Sequence, residues 1–242
     1  MSWGKCAKAA RAAFEQHPHD IACFLMEPIQ GEGGDHHFRP QFLQAMQALC
    51  HEHDALFVLD EVQSGCGMTG TAWAFQQMGV QPDVVSFGKK TQVCGVMAGG
   101  RVDEVPDNVF AVSSRINSTW GGSLVDMVRC RRILEVVEAD GLIERAAVAG
   151  SHLLTLLTGL ADRHPALVTD PRGRGLMCAF SLPDGATRDA VQAEMRDVEH
   201  VLLLGCGTRS IRFRPALTVS EADLEAGVAA LDRVLSRRTV KA

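Results

Sequence analysis

Three short runs constrain this chain most: Ile21-Ala-Cys-Phe-Leu-Met26, Ala55-Leu-Phe-Val-Leu59 and Asp83-Val-Val-Ser-Phe87. Each has the length of a strand and is apolar almost throughout, with no alternation that would give it a wet face. Strands of this kind are covered on both sides, which is the habit of parallel sheets. The text between them supplies the crossovers. Pro40 to His53 has Phe42, Met46 and Leu49 at helical spacing, Thr71 to Met78 suits a short helix, and Ala7 to Gln16 suits another before the first run. Strand, helix, strand, helix, strand predicts a buried, mostly parallel sheet, with Val93 to Val102 as a fourth extended segment.

Beyond Gly122 the pattern changes. Val125 to Asp140 and Leu142 to Leu160 read as two long amphipathic helices with almost no loop between them. Ala166–Thr169, Gly175–Leu182, Val201–Leu204 and Ser210–Phe213 are strand-like, and Arg188–Val198 and Glu221–Leu235 are helical. Ser220 with Asp223 three residues later resembles a capping box in which Asp replaces Glu. The expectation is an α/β layered domain over residues 1–124, then a linking helix and a small α+β domain over residues 125–242.

Composition matters mainly for what it excludes. With 46% hydrophobic and 22% charged residues the chain is globular rather than disordered. A net charge of −5, without a basic stripe, argues against nucleic acid. Eight cysteines stand at irregular spacings with no C-x-x-C pair, the pattern of reduced thiols rather than of a disulfide framework. No run approaches the length of a membrane span, and Met1 to Lys8 lacks the apolar core of a signal peptide. A cytoplasmic protein without a membrane partner is expected.

In a parallel sheet, ligands sit beyond the carboxyl ends of the strands. Here those ends carry Glu27 to Glu32, Asp60-Glu-Val-Gln63 and Gly88-Lys-Lys90. A carboxylate directly after an apolar strand can pair with a cationic ring nitrogen where water is scarce. A lysine at a neighbouring strand end can form a Schiff base. Asp60 and Lys89 together therefore describe a pyridoxal site. The plainer readings are a solvated lysine pair for Lys89 and Lys90, a helix cap for Asp60, and ordinary loop carboxylates for Glu27 and Glu32. Gly65-Cys-Gly-Met-Thr-Gly70 also satisfies G-x-G-x-x-G, with Asp83 downstream, as in a dinucleotide-binding oxidoreductase. Against that rival, Gly65 lies six residues past Leu59, whereas the dinucleotide motif starts at the strand end. The pairs His17/His19, His36/His37 and His51/His53 suggest a metal, but they lie in polar text without a helical carboxylate partner and are expected at the surface.

Four ordered motifs resemble the class III aminotransferases, which are fold-type I pyridoxal-phosphate enzymes. They are Glu27-Pro-Ile-Gln-Gly-Glu-Gly-Gly34, Leu59-Asp-Glu-Val-Gln-Ser-Gly65, Pro82-Asp-Val-Val-Ser-Phe-Gly-Lys89 and Ser118-Thr-Trp-Gly-Gly122. The resemblance runs from about Asp20 to the end of the chain. Gly88 to Gly100 looks closest to bacterial L-lysine ε-aminotransferases. It implies the three-layer, mostly parallel sheet of the large domain, incomplete here, followed by the small domain.

The resemblance also implies roles. Lys89 holds pyridoxal 5'-phosphate and moves the proton, Asp60 pairs with the ring nitrogen, Val62 packs on the ring face and Gln63 bonds the phenolic oxygen. Thr119 binds the cofactor phosphate of a neighbouring subunit, so a homodimer with shared sites is expected. Arg212 clamps a substrate α-carboxylate, Glu32 pairs with that arginine when the ω-amine is presented, and Asn117 belongs to the substrate-binding set. Arg214 and Arg209 compete with Arg212, and Arg212 and Arg214 share a face of an extended strand. The implied reaction carries the ε-amine of L-lysine to 2-oxoglutarate, giving glutamate and 2-aminoadipate 6-semialdehyde. Ornithine and 4-aminobutyrate enzymes share the motifs. The family's phosphate loop and stacking aromatic lie upstream of the Glu27 motif, and this chain has only 26 residues there and no tyrosine. A fragment, one half of a split enzyme or a non-catalytic remnant would all account for that, with weak cofactor affinity.

Overall fold

The computed structural model describes residues 3–117, 119 and 121–239. Ser118 and Trp120 of the fourth motif, and Met1 and Ser2 at the amino terminus, lie outside the described residues. Contacts divide the chain into two compact units. One comprises residues 1–28, 38–66 and 73–137, and the other residues 29–37, 67–72 and 138–242.

In the first unit the three apolar runs become β1 (Cys23–Met26), β4 (Leu56–Asp60) and β5 (Val84–Phe87). They lie side by side and parallel, with Leu25 opposite Val58 and Asp60 opposite Ser86. The fourth segment forms β6 (Gly95–Ala98), which returns antiparallel beside β5, so the sheet order is β1-β4-β5-β6. A short connection permits only that direction, because a parallel return needs a crossover. Helices α1 (Trp3–Gln16) and α2 (Pro40–Glu52) pack on each other, and α2 packs on the sheet. Phe42, Leu43, Met46 and Leu49 of α2 are buried, as are Phe57 and Leu59 of β4.

Burial on both faces does not hold for the described residues. Burial alternates along β4 and β1, and Leu25 is 62% exposed, so the three-layer arrangement is incomplete. The expected short helix after Gly70 is a single 3-10 turn at Ala74–Gln77.

In the second unit β7 (Thr169–Arg174), β8 (Met177–Ser181), β9 (Leu204–Cys206) and β10 (Ser210–Phe213) form an antiparallel sheet in the order β7-β8-β10-β9. Every residue of β8 is buried. The long helix α4 (Leu142–Arg163) packs Leu153, Leu157 and Leu160 into the core, together with α6 (Glu221–Thr239) and α5 (Gly185–Asp197). Ala166 to Val168, expected to be extended, instead follow the helix end in a turn, since Leu167 and Val168 both donate to the His164 carbonyl. A two-strand ribbon, β2 (Ile29–Gln30) with β3 (His36–His37), carries the turn that contains Glu32. Helix α3 (Leu124–Ala139) joins the two stretches of chain and has no buried residue.

Candidate active site

The site residues fall into two groups, one in each unit. The first lies at the carboxyl ends of β4 and β5. Asp60 closes β4, and its Oδ1 accepts from the Val62 amide at 2.9 Å and from Ser86 Oγ at 2.9 Å. Oδ2 has no hydrogen-bond partner among the described residues. Ser86 was not singled out from the sequence, although a hydroxyl inside an otherwise apolar strand is a readable signal. Its pairing opposite Asp60 is what gives it a purpose.

The loop after Asp60 is held by Glu61, which is 1% exposed. Glu61 accepts from the Ala74 and Phe75 amides, both at 2.8 Å, and from Ser64 Oγ at 2.8 Å. Burial pushes its carboxyl above the usual range, against the pull of those two amides. The carboxylate satisfies the free N–H groups at the start of the 3-10 turn, as helix N-termini require. It thereby fixes the segment carrying Val62 and Gln63.

Lys89 and Lys90 separate clearly. Lys90 is half-buried and donates to the Gln63 carbonyl at 2.5 Å, bracing the same loop. Lys89 is exposed and has no hydrogen-bond partner among the described residues. Val62 reaches this strand end as well, because a Cβ built on Gly88 would lie 3.5 Å from Val62 Cγ1. Asn117 and Thr119 are both exposed. Glu27 is half-buried in the same unit.

The glycine motif does not have a dinucleotide fold. Gly65 is covered by Trp73, whose ring would lie 2.6 Å from an added Cβ, and a Cβ on Gly70 would lie 2.8 Å from that of Ala147 on α4. These glycines permit close packing and open no long helix. Asp83, the acidic residue of that rival reading, is a structural group. Its Oδ2 accepts from the Phe57 amide at 2.8 Å and lies 3.6 Å from Arg101.

The second group lies in the other unit. Arg212 on β10 pairs with Glu32 at 2.7 Å, and its side chain is 13% exposed against 75% for Glu32. Arg212 Nε and Nη1 are buried without a partner. Arg214, on the same face two residues on, pairs with the fully buried Asp35, and Arg209 donates to the Leu182 carbonyl. Asp35 and Arg172 were also missed from sequence. Nothing local distinguishes Asp35 from a turn residue, and Arg172 sits beside Pro171 in apparent loop text.

The histidines correct an expectation. His37 is not a surface residue, since both its ring nitrogens are buried without a partner. Burial, followed by the charges of Arg174, Arg172 and Arg214, lowers its pKa to about 3. His53 stacks on Phe14 with ring centroids 5.1 Å apart.

Comparison with known proteins bears on both groups. The family model for class-III aminotransferases matches residues 2–235. The L-lysine-epsilon aminotransferase of Mycobacterium tuberculosis is 64% identical over 228 residues, which is 94% of this chain and 51% of that protein. That of Amycolatopsis lactamdurans is 61% identical over 97% of this chain and 52% of its own length. A solved lysine aminotransferase from M. tuberculosis, described as the internal aldimine form, superposes with a TM-score of 0.94 at 62% identity, covering 97% of this chain and 54% of its own. The chain thus spans about half the length of the relatives it matches.

Proposed function

We propose, from the premise that the chain belongs to the class-III aminotransferase family, that it carries the cofactor and substrate residues of an L-lysine ε-aminotransferase. The reaction moves the ε-amine of lysine to 2-oxoglutarate and yields glutamate and 2-aminoadipate 6-semialdehyde. Identity above 60% to proteins named for that activity supports lysine as the donor. The observation that carries the reading is the strand-end arrangement of Asp60 and Lys89. Asp60 is held by Ser86 on the neighbouring strand, and Lys89 follows three residues beyond that serine with its amine unengaged.

The residues present fit pyridoxal 5'-phosphate, the cofactor of this family. Asp60 is oriented through one oxygen and keeps the other available for a protonated ring nitrogen. When bound, the cofactor supplies a ring that accepts electron density from the substrate carbon losing its proton. Asp60 would keep the proton on the ring nitrogen, Val62 would pack against the ring and Gln63 would donate to the phenolic oxygen. Lys89 would hold the cofactor through Nζ, and the same amine would serve as general base and acid for the substrate proton.

Arg212 takes the α-carboxylate of glutamate or 2-oxoglutarate as a fork of two hydrogen bonds. When lysine presents its uncharged stem, Glu32 covers the guanidinium, which would otherwise be an unpaired charge facing apolar carbon. Asn117 contributes to the substrate pocket, and exposed Thr119 serves the cofactor phosphate of a second copy in a homodimer. Residues 1–124 then form part of the cofactor-binding domain and 125–242 the linking helix and small domain. Among the described residues no helix is long and apolar enough to cross a membrane. The cysteine pattern supports a cytoplasmic setting.

The test is covalent capture. Protein incubated with pyridoxal 5'-phosphate should develop a visible absorption band, and borohydride should fix the cofactor's mass on the peptide bearing Lys89. Lys89→Ala should lose both. Mass fixed on Lys90 instead, or no band at high cofactor concentration, would overturn the assignment and leave the remnant reading.

A further inference from the structure

The proposed Glu32–Arg212 exchange raises a mechanical question. Either the turn bearing Glu32 moves, or only the side chain does. The turn's backbone is anchored at three of its residues. Glu32 O accepts from the Gly207 amide at 2.8 Å. Gly34 O accepts from Arg172 Nη2 at 2.6 Å, and Asp35 O from Arg172 Nε at 2.8 Å. The turn is also closed on itself by the Asp35 amide donating to Gly31 O at 3.0 Å.

Gly207 can come this close because it has no side chain. Its φ is +53°, and an added Cβ would stand 2.8 Å from Gly34 Cα and 2.9 Å from Gly33 O. Arg172 is aimed by an irregularity in β7, where the register shifts between Thr169 and Arg172 across a left-handed Asp170 and Pro171. Its guanidinium also engages Ser210 Oγ at 3.0 Å and Ser181 Oγ at 3.2 Å, which tie it to β10 and β8. Arg172 therefore clamps the turn to the strand that bears Arg212.

Asp35 adds charge selection. Arg212 on β10 and Arg214 just past its end each offer a guanidinium to a carboxylate. The buried Asp35 occupies Arg214. Burial pushes the Asp35 carboxyl up, opposed by the nearby guanidinium groups of Arg214, Arg212 and Arg172. With Arg214 neutralised, the exposed side chain of Glu32 is left to Arg212.

We infer that Asp35 and Arg172 are positioning residues. They hold the Glu32 turn fixed against β10 and reserve Arg212, rather than Arg214, for exchange between Glu32 and a substrate carboxylate, so that the exchange is a side-chain rotation on a static turn. The inference rests on the carboxylate role proposed for Arg212. It names no contact with substrate for Asp35 or Arg172, which act through Glu32 and Arg212.

The experiment is a double-mutant cycle read by 2-oxoglutarate binding to the purified chain, followed by titration calorimetry. Arg212→Lys should weaken binding by about tenfold or more, as loss of a bidentate charged pair does. Glu32→Gln removes the competitor and should tighten binding about two- to fivefold, the scale of a partly exposed ion pair. In an Asp35→Asn background the same Glu32→Gln change should have almost no effect, because Glu32 no longer sits on Arg212. A merely structural Asp35 would lower thermal stability and leave the Glu32→Gln effect intact. That outcome overturns the inference while the carboxylate role stands. Unchanged binding in Arg212→Lys, or no binding in the parent chain, overturns both. Should Asp35→Asn fail to fold, Arg172→Lys, which loses the two-carbonyl fork, must abolish the Glu32→Gln effect in the same way.

Discussion

At the scale of single residues, the site divides into what residue type reveals and what only pairing reveals. Asp60 and Lys89 were singled out by their place at the ends of apolar strands, and Glu32 and Arg212 by the resemblance of their motifs, and the roles given to all four are those proposed above. Ser86, Glu61, Asp35 and Arg172 were not singled out, because each acts on a partner between 13 and 179 residues away along the chain. His37 shows the same limit and has a measurable consequence. Its folded pKa, about 3, lies below the ordinary 6.5. The unfolded chain therefore binds the proton first as pH falls. The stabilising contribution is fully present above pH 6.5 and is lost as pH drops through the window down to about 3. The expected slope from this one group is roughly 1.4 kcal/mol per pH unit inside that window. Urea midpoints measured at neutral and mildly acid pH should show the loss, and His37→Gln should reduce the slope by one proton. An unchanged slope in that variant would mean that His37 titrates normally.

At the scale of elements, the parallel strands and long helices were readable from apolar runs and helical spacing. The misplaced pieces were those whose form depends on neighbours. The strand expected over Ala166–Thr169 slid to Thr169–Arg174 because the end of α4 claimed its first residues as a turn. Val201–Leu204 shifted to Leu204–Cys206, where pairing with β10 begins. Packing of α4 gives a sharper case. Gly150 faces the β7–β8 turn so closely that an added Cβ would lie 2.0 Å from the carbonyl carbon of Gly175 and 2.1 Å from its oxygen. Backbone cannot yield as a side-chain tip can, so Gly150→Ala should cost about 3 kcal/mol, at the upper end for overpacking. Gly159 lies on the same helix with only the Arg163 side chain at 3.4 Å. There the same substitution should be neutral or stabilise by up to about 1 kcal/mol, through the better helix propensity of alanine. Thermal melts of the two variants should move in opposite directions or differ by several degrees. Equal melts would refute the close packing of α4.

At the scale of the whole molecule, several large apolar side chains of α3 stand exposed among the described residues. Leu124 is 82% exposed, Val125 70%, Val128 69% and Met127 51%, and no residue of the helix is buried. Amphipathic spacing had led to the expectation of a covered face. Contiguous apolar surface of this kind marks an interaction site. We propose that the second copy of the homodimer, which Thr119 serves, is what covers this surface. A two-fold contact closes on itself, whereas indiscriminate stickiness does not. The chain has a mass of 26.1 kDa and a net charge of −5, which disfavours open-ended aggregation. Sedimentation velocity at micromolar concentration should therefore give one discrete species of twice the chain mass. Val128→Asp places a charge on the exposed face and removes no buried contact, so its thermal stability should stay within about 0.5 kcal/mol of the parent. Its sedimentation should shift toward the monomer. A monomeric parent, or a dimer indifferent to Val128→Asp, would dissociate α3 from the subunit contact. A broad series of larger species would show that the exposed helix is an open apolar surface without a two-fold partner.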